Sequence, residues 1–158
     1  MKVMRRIVAS LLVIGMILSF VACGGSEKSV TLQFTDNTMW GITVTETKTL
    51  NAKGDTIQKM TDVVDVDFSL SAWDDIAGAE NLYNMVVDDL SAKVDVYNLI
   101  DGCTASEKYD GTAYRWTITV DCTGDAPSEL EAHGLVKIED SLKTYQEALE
   151  SVGYTVVE

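Results

Sequence analysis

Histidine, proline and positive charge are all scarce in this 158-residue chain. Twelve lysines and arginines face 25 acids, and the resulting net charge of −13 argues against nucleic acid as a partner, because that binding depends on neutralising phosphates. A single proline and 11 glycines exclude collagen-like and proline-rich rods. His133 is the only histidine and follows no zinc-ligand or catalytic spacing, so we expect an exposed residue near a helix C-terminus. We therefore expect no metal, no cofactor and no catalytic site.

The N-terminus combines positive charge with an apolar run. Residues 1–6 contain three cations, and residues 7–22 form a 16-residue apolar stretch. A helix of this length spans about 24 Å, which is less than the roughly 30 Å hydrocarbon core of a membrane. The pattern therefore favours a secretory signal over a membrane-spanning helix.

The residues from Phe20 to Cys23 resemble the lipobox of bacterial lipoproteins, with Phe20 where that family prefers leucine. The resemblance implies cleavage before Cys23 and attachment of a diacylglycerol to its sulfur. A further acyl chain such as palmitate would add to the anchor, and two chains already hold a protein stably on a membrane. The alternatives are a plain signal peptide with a coincidental cysteine, or an uncleaved anchor.

This interpretation divides the chain into three parts. We predict a signal peptide at 1–22, a lipidated cysteine with a flexible tether at 23–29 and a single domain at 30–158. The signal carries three cations and no acid, so its removal changes the net charge from −13 to −16. The predicted location is the outer face of a bacterial cell membrane.

Period-two alternation in the first half predicts an antiparallel meander with strands in Val30–Phe34, Trp40–Lys48 and Thr56–Phe68. Turn residues lie at Asp36–Asn37 and Asn51–Asp55. Because Ile57 and Met60 fall on opposite parities, we expect a bulge near Gln58–Met60.

Helical periods appear in the second half. A three- and four-residue period predicts a helix within Asp74–Asp95, and a hairpin reverses at Asp110–Gly111. A short helix at Ser128–His133 and a terminal strand at Tyr154–Val157 are also expected. The class is α+β, with an antiparallel sheet of about five to six strands packed with one central and one C-terminal helix. We expect the last helix to be capped by Ser141, to end at Gly153 and to have its apolar face at Leu142, Tyr145, Leu149 and Val152.

These elements together resemble the YehR-like small bacterial lipoproteins of unknown function. The resemblance implies a fold and a location, but no activity. It covers most of the predicted domain and depends on the lipobox, the Glu46–Asp55 hairpin, the helix ending near Ser91–Lys93, the Tyr109–Asp121 hairpin, and the final segments Ser141–Leu142 and Val152–Tyr154.

Cys103 and Cys122 are a disulfide candidate, because an exported chain can oxidise. A two-residue loop at Asp110–Gly111 places Cys103 opposite Ile118, about 13 Å along the strand from Cys122 and too far to bridge. A four-residue loop, Gly111–Tyr114, sets the two cysteines opposite each other. Reduced cysteines in the core remain the alternative.

Carboxylates and tryptophans are the other candidates for a site. Asp62, Asp65 and Asp67 share one predicted strand, and we interpret them as part of a solvated acidic surface. Trp116 alternates in step with Ile118 and Val120, the aliphatic residues predicted to face the core. Trp73 is out of register and is therefore the candidate for ligand binding, and the alternative is that it covers the core.

We expect a membrane-anchored extracytoplasmic lipoprotein that acts as a binding or envelope-associated module and not as an enzyme. Its contact with the membrane is through the lipid, and its further partner is the cell wall or a protein. One alternative is a carboxylate-based hydrolase of wall polymer, which requires two acids in a cleft with one raised pKa. Another is an inhibitor or adhesion module for cationic proteins, which an acidic surface attracts.

Overall fold

A computed structural model of the chain describes residues 25–39, 42–68, 79–111 and 113–157. Within them six strands form one sheet in the order β4-β5-β3-β2-β1-β6, and every neighbouring pair is antiparallel. Three helices accompany the sheet, which confirms the α+β class. In chain order the elements are β1 Glu27–Met39, β2 Ile42–Lys53, β3 Thr56–Asp67, α1 Ala79–Tyr97, β4 Cys103–Tyr109, β5 Ala113–Asp121, α2 Ala126–Ala132, α3 Leu142–Ser151 and β6 Thr155–Val157.

The predicted bulge in β3 is confirmed. Asn51 pairs with Lys59 whereas Ala52 pairs with Ile57, so Gln58 is the extra residue. The insertion shifts the parity of the strand, and this allows both Ile57 and Met60 to face the core.

The first strand is longer at both ends than the sequence predicts. Asp36 lies within β1 and pairs with Val44, so the turn predicted at Asp36–Asn37 is wrong. At the other end Glu27 pairs with Lys53, and three residues assigned to the flexible tether belong to the sheet. Pairing along the full length of β2 outweighs the local turn preference, because it satisfies the backbone of both strands.

All three helices pack on one face of the sheet. α1 begins at Ala79 and ends at Tyr97, two residues beyond the predicted end, while residues 74–78 lie outside the described part of the chain. Ser141 caps α3 as predicted, but Val152 is 65% exposed because the helix has ended before it. The helices bury Val94, Tyr97, Ala126, Leu130, Leu142, Tyr145 and Leu149 against a sheet core that includes Leu32, Leu50, Met60, Ile118 and Val120.

None of the helices in the described part of the chain combines the length and the apolar character needed to cross a membrane.

Candidate functional site

Three charged side chains lie on the helix-covered face of the sheet, where apolar residues are expected. On β2, Glu46 and Lys48 lie on the same face of the sheet as Leu50. Asp62 lies directly opposite Lys48 on β3. Only 5% of Lys48 and 7% of Asp62 are exposed. We call Glu46, Lys48 and Asp62 the ionic cluster.

The ionic cluster is organised around the lysine. Lys48 Nζ donates to Asp62 Oδ2 at 2.5 Å and forms a second ion pair with Glu46 Oε1. The Glu46 side chain is 26% exposed, so it is the member of the cluster that reaches water. Lys48 Nζ also lies 6.0 Å from the centroid of the Tyr154 ring. Both carboxylates are therefore bound to one cation in a mostly buried setting.

Burial and mutual charge shift the pKa values within the cluster. Burial raises the pKa of Asp62 to about 6, with Lys48 opposing the shift and Glu46 adding to it. Burial also acts to raise the pKa of Glu46, but the ammonium of Lys48 outweighs it and the net shift is downward. For Lys48, burial acts to lower the pKa, yet the two carboxylates hold the pKa above its ordinary value. Chemically, the cluster holds one ammonium group between two carboxyl groups whose pKa values are shifted in opposite directions.

Two buried polar atoms, one within the ionic cluster and one beside it, have no hydrogen-bond partner among the described residues. They are Asp62 Oδ1 and Trp116 Nε1. Trp116 pairs with Val64, which is two residues from Asp62 on the same face of β3, so the two side chains are diagonal neighbours. The ring of Trp116 packs edge-on against Tyr97, with 6.2 Å between their centroids. Trp116 is thus partly buried and packs against the core, as its phase with the aliphatics predicts.

The carboxylates predicted on β3 separate onto two faces. Asp62 is buried against Lys48, so placing it on a solvated surface is wrong. Asp65 lies on the opposite face, where Arg115 Nε donates to its Oδ1 at 2.5 Å. The sequence reasoning missed Glu46 and Lys48, although their position on the apolar parity of β2 was a usable signal.

The pairing of β4 with β5 lies midway between the two registers that the two-residue and four-residue loops predict for the cysteines. Cys103 pairs with Val120, which leaves Cys122 two residues farther along the chain, just past the end of β5. Both are free thiols in the structure, since this diagonal spacing exceeds the usual reach of a bridge. Burial raises the pKa of Cys122 to about 11 and also raises the pKa of Cys103, so neither forms a thiolate readily at neutral pH.

The remaining residues singled out in the sequence are Cys23, Trp73 and His133. Cys23 and Trp73 lie outside the described residues. His133 is exposed at the C-cap of α2, as expected.

An acidic surface hollow of about 350 Å³ lies at the end of β5. Four carboxylic side chains border it, from Asp101, Asp121, Asp125 and Glu129. In residues 25–39, 42–68, 79–111 and 113–157, no group of three or more His, Cys, Asp or Glu side chains is arranged to hold a metal ion.

The opposite face of the sheet carries a regular array of threonines, and no described helix packs on it. The strand registers align five threonines in one transverse row, with a second uncharged row beside it. Thr31 Oγ1 and Thr49 Oγ1 share a hydrogen bond of 3.3 Å, and Gln33 Nε2 donates to Thr47 Oγ1 at 3.3 Å. We call these two rows the threonine face; the first is Thr31, Thr49, Thr61, Thr119 and Thr104, and the second is Thr155, Gln33, Thr47, Val63, Thr117 and Ser106.

Comparison with known proteins identifies two solved structures with this fold. The NMR structure of a protein from Streptococcus pneumoniae TIGR4 has a TM-score of 0.54 and 14% identity, over 90% of this chain and 92% of that one. The NMR structure of the Escherichia coli YehR protein has a TM-score of 0.51 and 16% identity, over 83% of this chain and 92% of that one. The chain therefore shares its fold with both proteins, and the predicted similarity in fold to YehR is confirmed. No protein-family model and no curated protein matches the chain.

Proposed function

We propose that this protein is a lipid-anchored binding domain on the outer face of a bacterial cell membrane, without a catalytic role. The observation that carries the binding role is the threonine face. Two rows of uncharged side chains, 11 residues in all, cross the sheet on the face that the described helices leave open. On a chain with net charge −13, a continuous uncharged surface of this kind is available to a partner.

The anchor is supported by the N-terminal sequence and by the start of the sheet. The signal-like residues 1–22 and the lipobox-like segment ending at Cys23 imply lipidation, and the fold shared with YehR supports the expected membership of the YehR-like lipoproteins. Because β1 begins at Glu27, a lipid on Cys23 would lie within about 14 Å of the sheet. The domain would then be held close to the membrane by its first strand.

The arrangement of buried carboxylates supports a binding role over the hydrolase alternative. A glycosidase pair flanks a substrate cleft. Glu46 and Asp62 instead contact the same ammonium group, and Asp62 is almost fully buried. Burial is the main cause of the raised pKa of Asp62, so this shift does not require a catalytic role.

The anchor is tested by metabolic labelling with an alkyne-bearing palmitate in the producing bacterium. We expect labelled protein in the membrane fraction, and loss of the label in Cys23→Ser but not in the matched Cys122→Ser. Mass spectrometry that finds residue 23 unmodified, with the protein in the cytosol, would refute the anchor.

The binding surface is tested by cysteine accessibility in intact cells. Thr47→Cys on the threonine face and Thr144→Cys on α3 are each placed in a Cys103→Ser/Cys122→Ser background and treated with a membrane-impermeant maleimide. We expect the cysteine at 47 to react at least fivefold more slowly in cells than in purified full-length protein, while the cysteine at 144 reacts equally in both. Equal rates at both positions would contradict the binding role.

A further inference from the structure

We propose that the ionic cluster is a self-modification site, in which Lys48 and Asp62 condense into an amide bond that links β2 to β3 and Glu46 moves the proton. The inference goes beyond the proposed function and does not rest on it, because it concerns one reaction within the chain and no external substrate. The ion pair of Lys48 with Asp62 is the reactant, present in folded protein that has not yet reacted.

The position of the amine relative to the carboxyl group is the first argument. Lys48 Nζ lies 2.5 Å from Asp62 Oδ2, and the carboxyl carbon is one bond away from that oxygen. The nitrogen is therefore at roughly the 3–3.5 Å separation of a near-attack arrangement. Reacting groups held in this way reach effective concentrations on the order of 10⁵–10⁸ M, far above the concentration of water itself. This excess favours the amide over its hydrolysis.

The neighbours of the pair exclude water from it. The strand registers place Leu32 beside Lys48 and Ile118 beside Asp62, and neither aliphatic residue is more than 1% exposed. Charged groups lose stability in such surroundings, so transfer of the proton from the ammonium to the carboxylate costs less here than in water. The transfer produces a neutral amine, which is the nucleophile that the reaction requires.

The two carboxyl groups of the cluster differ in the way that the reaction needs. Burial raises the pKa of Asp62 to about 6, so this group accepts a proton more readily than an ordinary aspartate. Burial also acts to raise the pKa of Glu46, but Lys48 outweighs it and holds the pKa of Glu46 below its ordinary value. Groups whose surroundings push their pKa values apart divide into acid and base. Asp62 is therefore the carboxylic acid that is attacked, and Glu46 is the base.

The reaction balances within the cluster. The ammonium of Lys48 gives a proton to Oδ2 of Asp62, and the neutral Nζ attacks Cγ while the electron pair of the carbonyl bond moves to Oδ1. Glu46 accepts a proton from the attacking nitrogen and passes it to Oδ2. The bond from Cγ to Oδ2 then breaks, water leaves, and the carbonyl bond forms again at Oδ1. One ammonium and two carboxylates become one amide and one carboxylate, so the net charge does not change.

The two buried polar atoms that lack a hydrogen-bond partner in the described part of the chain both have a role in this reaction. Asp62 Oδ1 is the oxygen on which negative charge develops. The indole N–H of Trp116, its diagonal neighbour, is a buried donor that is not engaged elsewhere in the described residues. A donor held near a developing oxyanion stabilises the transition state.

The experiment measures the intact mass of the full-length protein in detergent. Chain recovered from inclusion bodies in urea is expected to have the mass of its sequence, because the reacting groups meet only in the fold. After refolding, the chain should become lighter by the mass of one water. Protein that is folded by circular dichroism but keeps the unreacted mass through several days of incubation would overturn the proposal.

Peptide mapping locates the new bond. Trypsin cleaves after Lys48 in the unreacted chain, and the amide blocks this cleavage. Residues 29–53 and 60–93 should therefore appear as one branched peptide that is lighter than the sum of the two by one water. A loss of water that maps instead to Asp110–Gly111 would be a succinimide and would overturn the assignment.

The same digest contains an internal control. Lys93 Nζ lies 2.9 Å from Asp89 Oδ2, but this pair is exposed to water and has no carboxylate corresponding to Glu46 among its ion-pair contacts in the described residues. We expect Lys93 to remain unlinked and to be cleaved normally. A bond at this pair as well would show that proximity alone is sufficient and would refute the role of the buried cluster.

Glu46→Gln tests the base, because it keeps the shape of the side chain and removes the group that accepts the proton. We expect the rate of water loss after refolding to fall on the order of 100-fold or more, which is the usual contribution of a positioned acid–base group. Glu147→Gln makes the same change on the exposed surface of α3 and should react at the rate of the unmodified protein. Equal rates in the two variants would refute the role of Glu46.

A second variant applies if Glu46→Gln does not refold. In Asp62→Asn the attacked group is an amide, so the same bond forms with release of ammonia in place of water. We expect the refolded variant to lose the mass of ammonia and to give the same branched peptide. Loss of water, or no loss, in folded Asp62→Asn would refute the attack at residue 62.

Discussion

Replacing Lys48 by methionine is the sharpest test of the ionic cluster. The variant keeps an unbranched side chain of similar length and removes the ammonium that contacts both Glu46 and Asp62. Two carboxyl groups are then left together in a mostly buried site. Removing one partner of a buried ion pair typically costs about 3–5 kcal/mol, a large fraction of the roughly 5–15 kcal/mol that stabilises an ordinary domain.

The free energy of unfolding is measured by urea denaturation at pH 7.5, followed by circular dichroism. The matched control is Lys93→Met, whose ion pair with Asp89 at 2.9 Å has side chains that are 48% and 68% exposed. Because water screens an exposed pair, we expect this control to lose less than about 1 kcal/mol. The double variant Lys48→Met/Asp62→Leu should recover part of the loss of Lys48→Met, since it no longer buries the second charge.

The loss caused by Lys48→Met should also depend on pH. Without the ammonium, the pKa of Asp62 rises further, so this carboxyl group is protonated and uncharged at pH 5. The destabilisation should therefore be smaller at pH 5 than at pH 7.5. A loss no larger than that of Lys93→Met, or no recovery in Lys48→Met/Asp62→Leu, would refute the buried charge argument.

Three other predictions follow from single contacts. Folding raises the pKa of Asp62 from 3.8 to about 6, so its contribution to the free energy of unfolding is complete below pH 4 and is lost as pH rises through 6. This contribution amounts to about 3 kcal/mol. Asp62→Asn should therefore weaken the dependence of the free energy of unfolding on pH, as measured by urea denaturation between pH 4 and 7. The same dependence on pH in the variant and the unmodified protein would contradict the shift of the pKa. Ser141 Oγ accepts a hydrogen bond from Thr144 N at 3.2 Å and caps α3. Ser141→Ala should therefore lower the free energy of unfolding by about 1 kcal/mol and the melting temperature by a few degrees. An unchanged melting temperature in calorimetry would refute the role of the cap. The register of Cys103 and Cys122 predicts that both thiols react in denatured, unreduced protein; a titration that finds neither would show that they are bridged.

Much of the fold follows from local patterns. The alternation around Val64 and Val66 marks the buried face of β3, and the parity change between Ile57 and Met60 indicates the bulge. Both signals survive because a strand exposes one face to the core, so periodicity in the sequence becomes periodicity in burial. The extent of β1 could not be predicted in this way, since the pairing with β2 decides how far it continues.

The candidate sites were less accessible to sequence reasoning. In the sequence, Asp62 is one of three acids on its strand, and nothing local distinguishes it from the other two. Only its position opposite Lys48 makes it a buried ion-pair partner. The threonines of the first row are separated by as many as 88 positions, from Thr31 to Thr119. Alternation predicts that each faces away from the core, but gives no register between strands.

The sequence by itself determined the acidic character, the α+β class, the signal-like N-terminus and the parity of each strand's side chains. These properties depend on composition and on neighbours within a few residues. Only the tertiary structure decided which side chains meet: the carboxylates that contact Lys48, the diagonal spacing of the two cysteines and the alignment of five threonines. The reason is physical, because hydrogen bonding between strands sets the register, and a shift of one or two residues along one strand would separate every one of these groups.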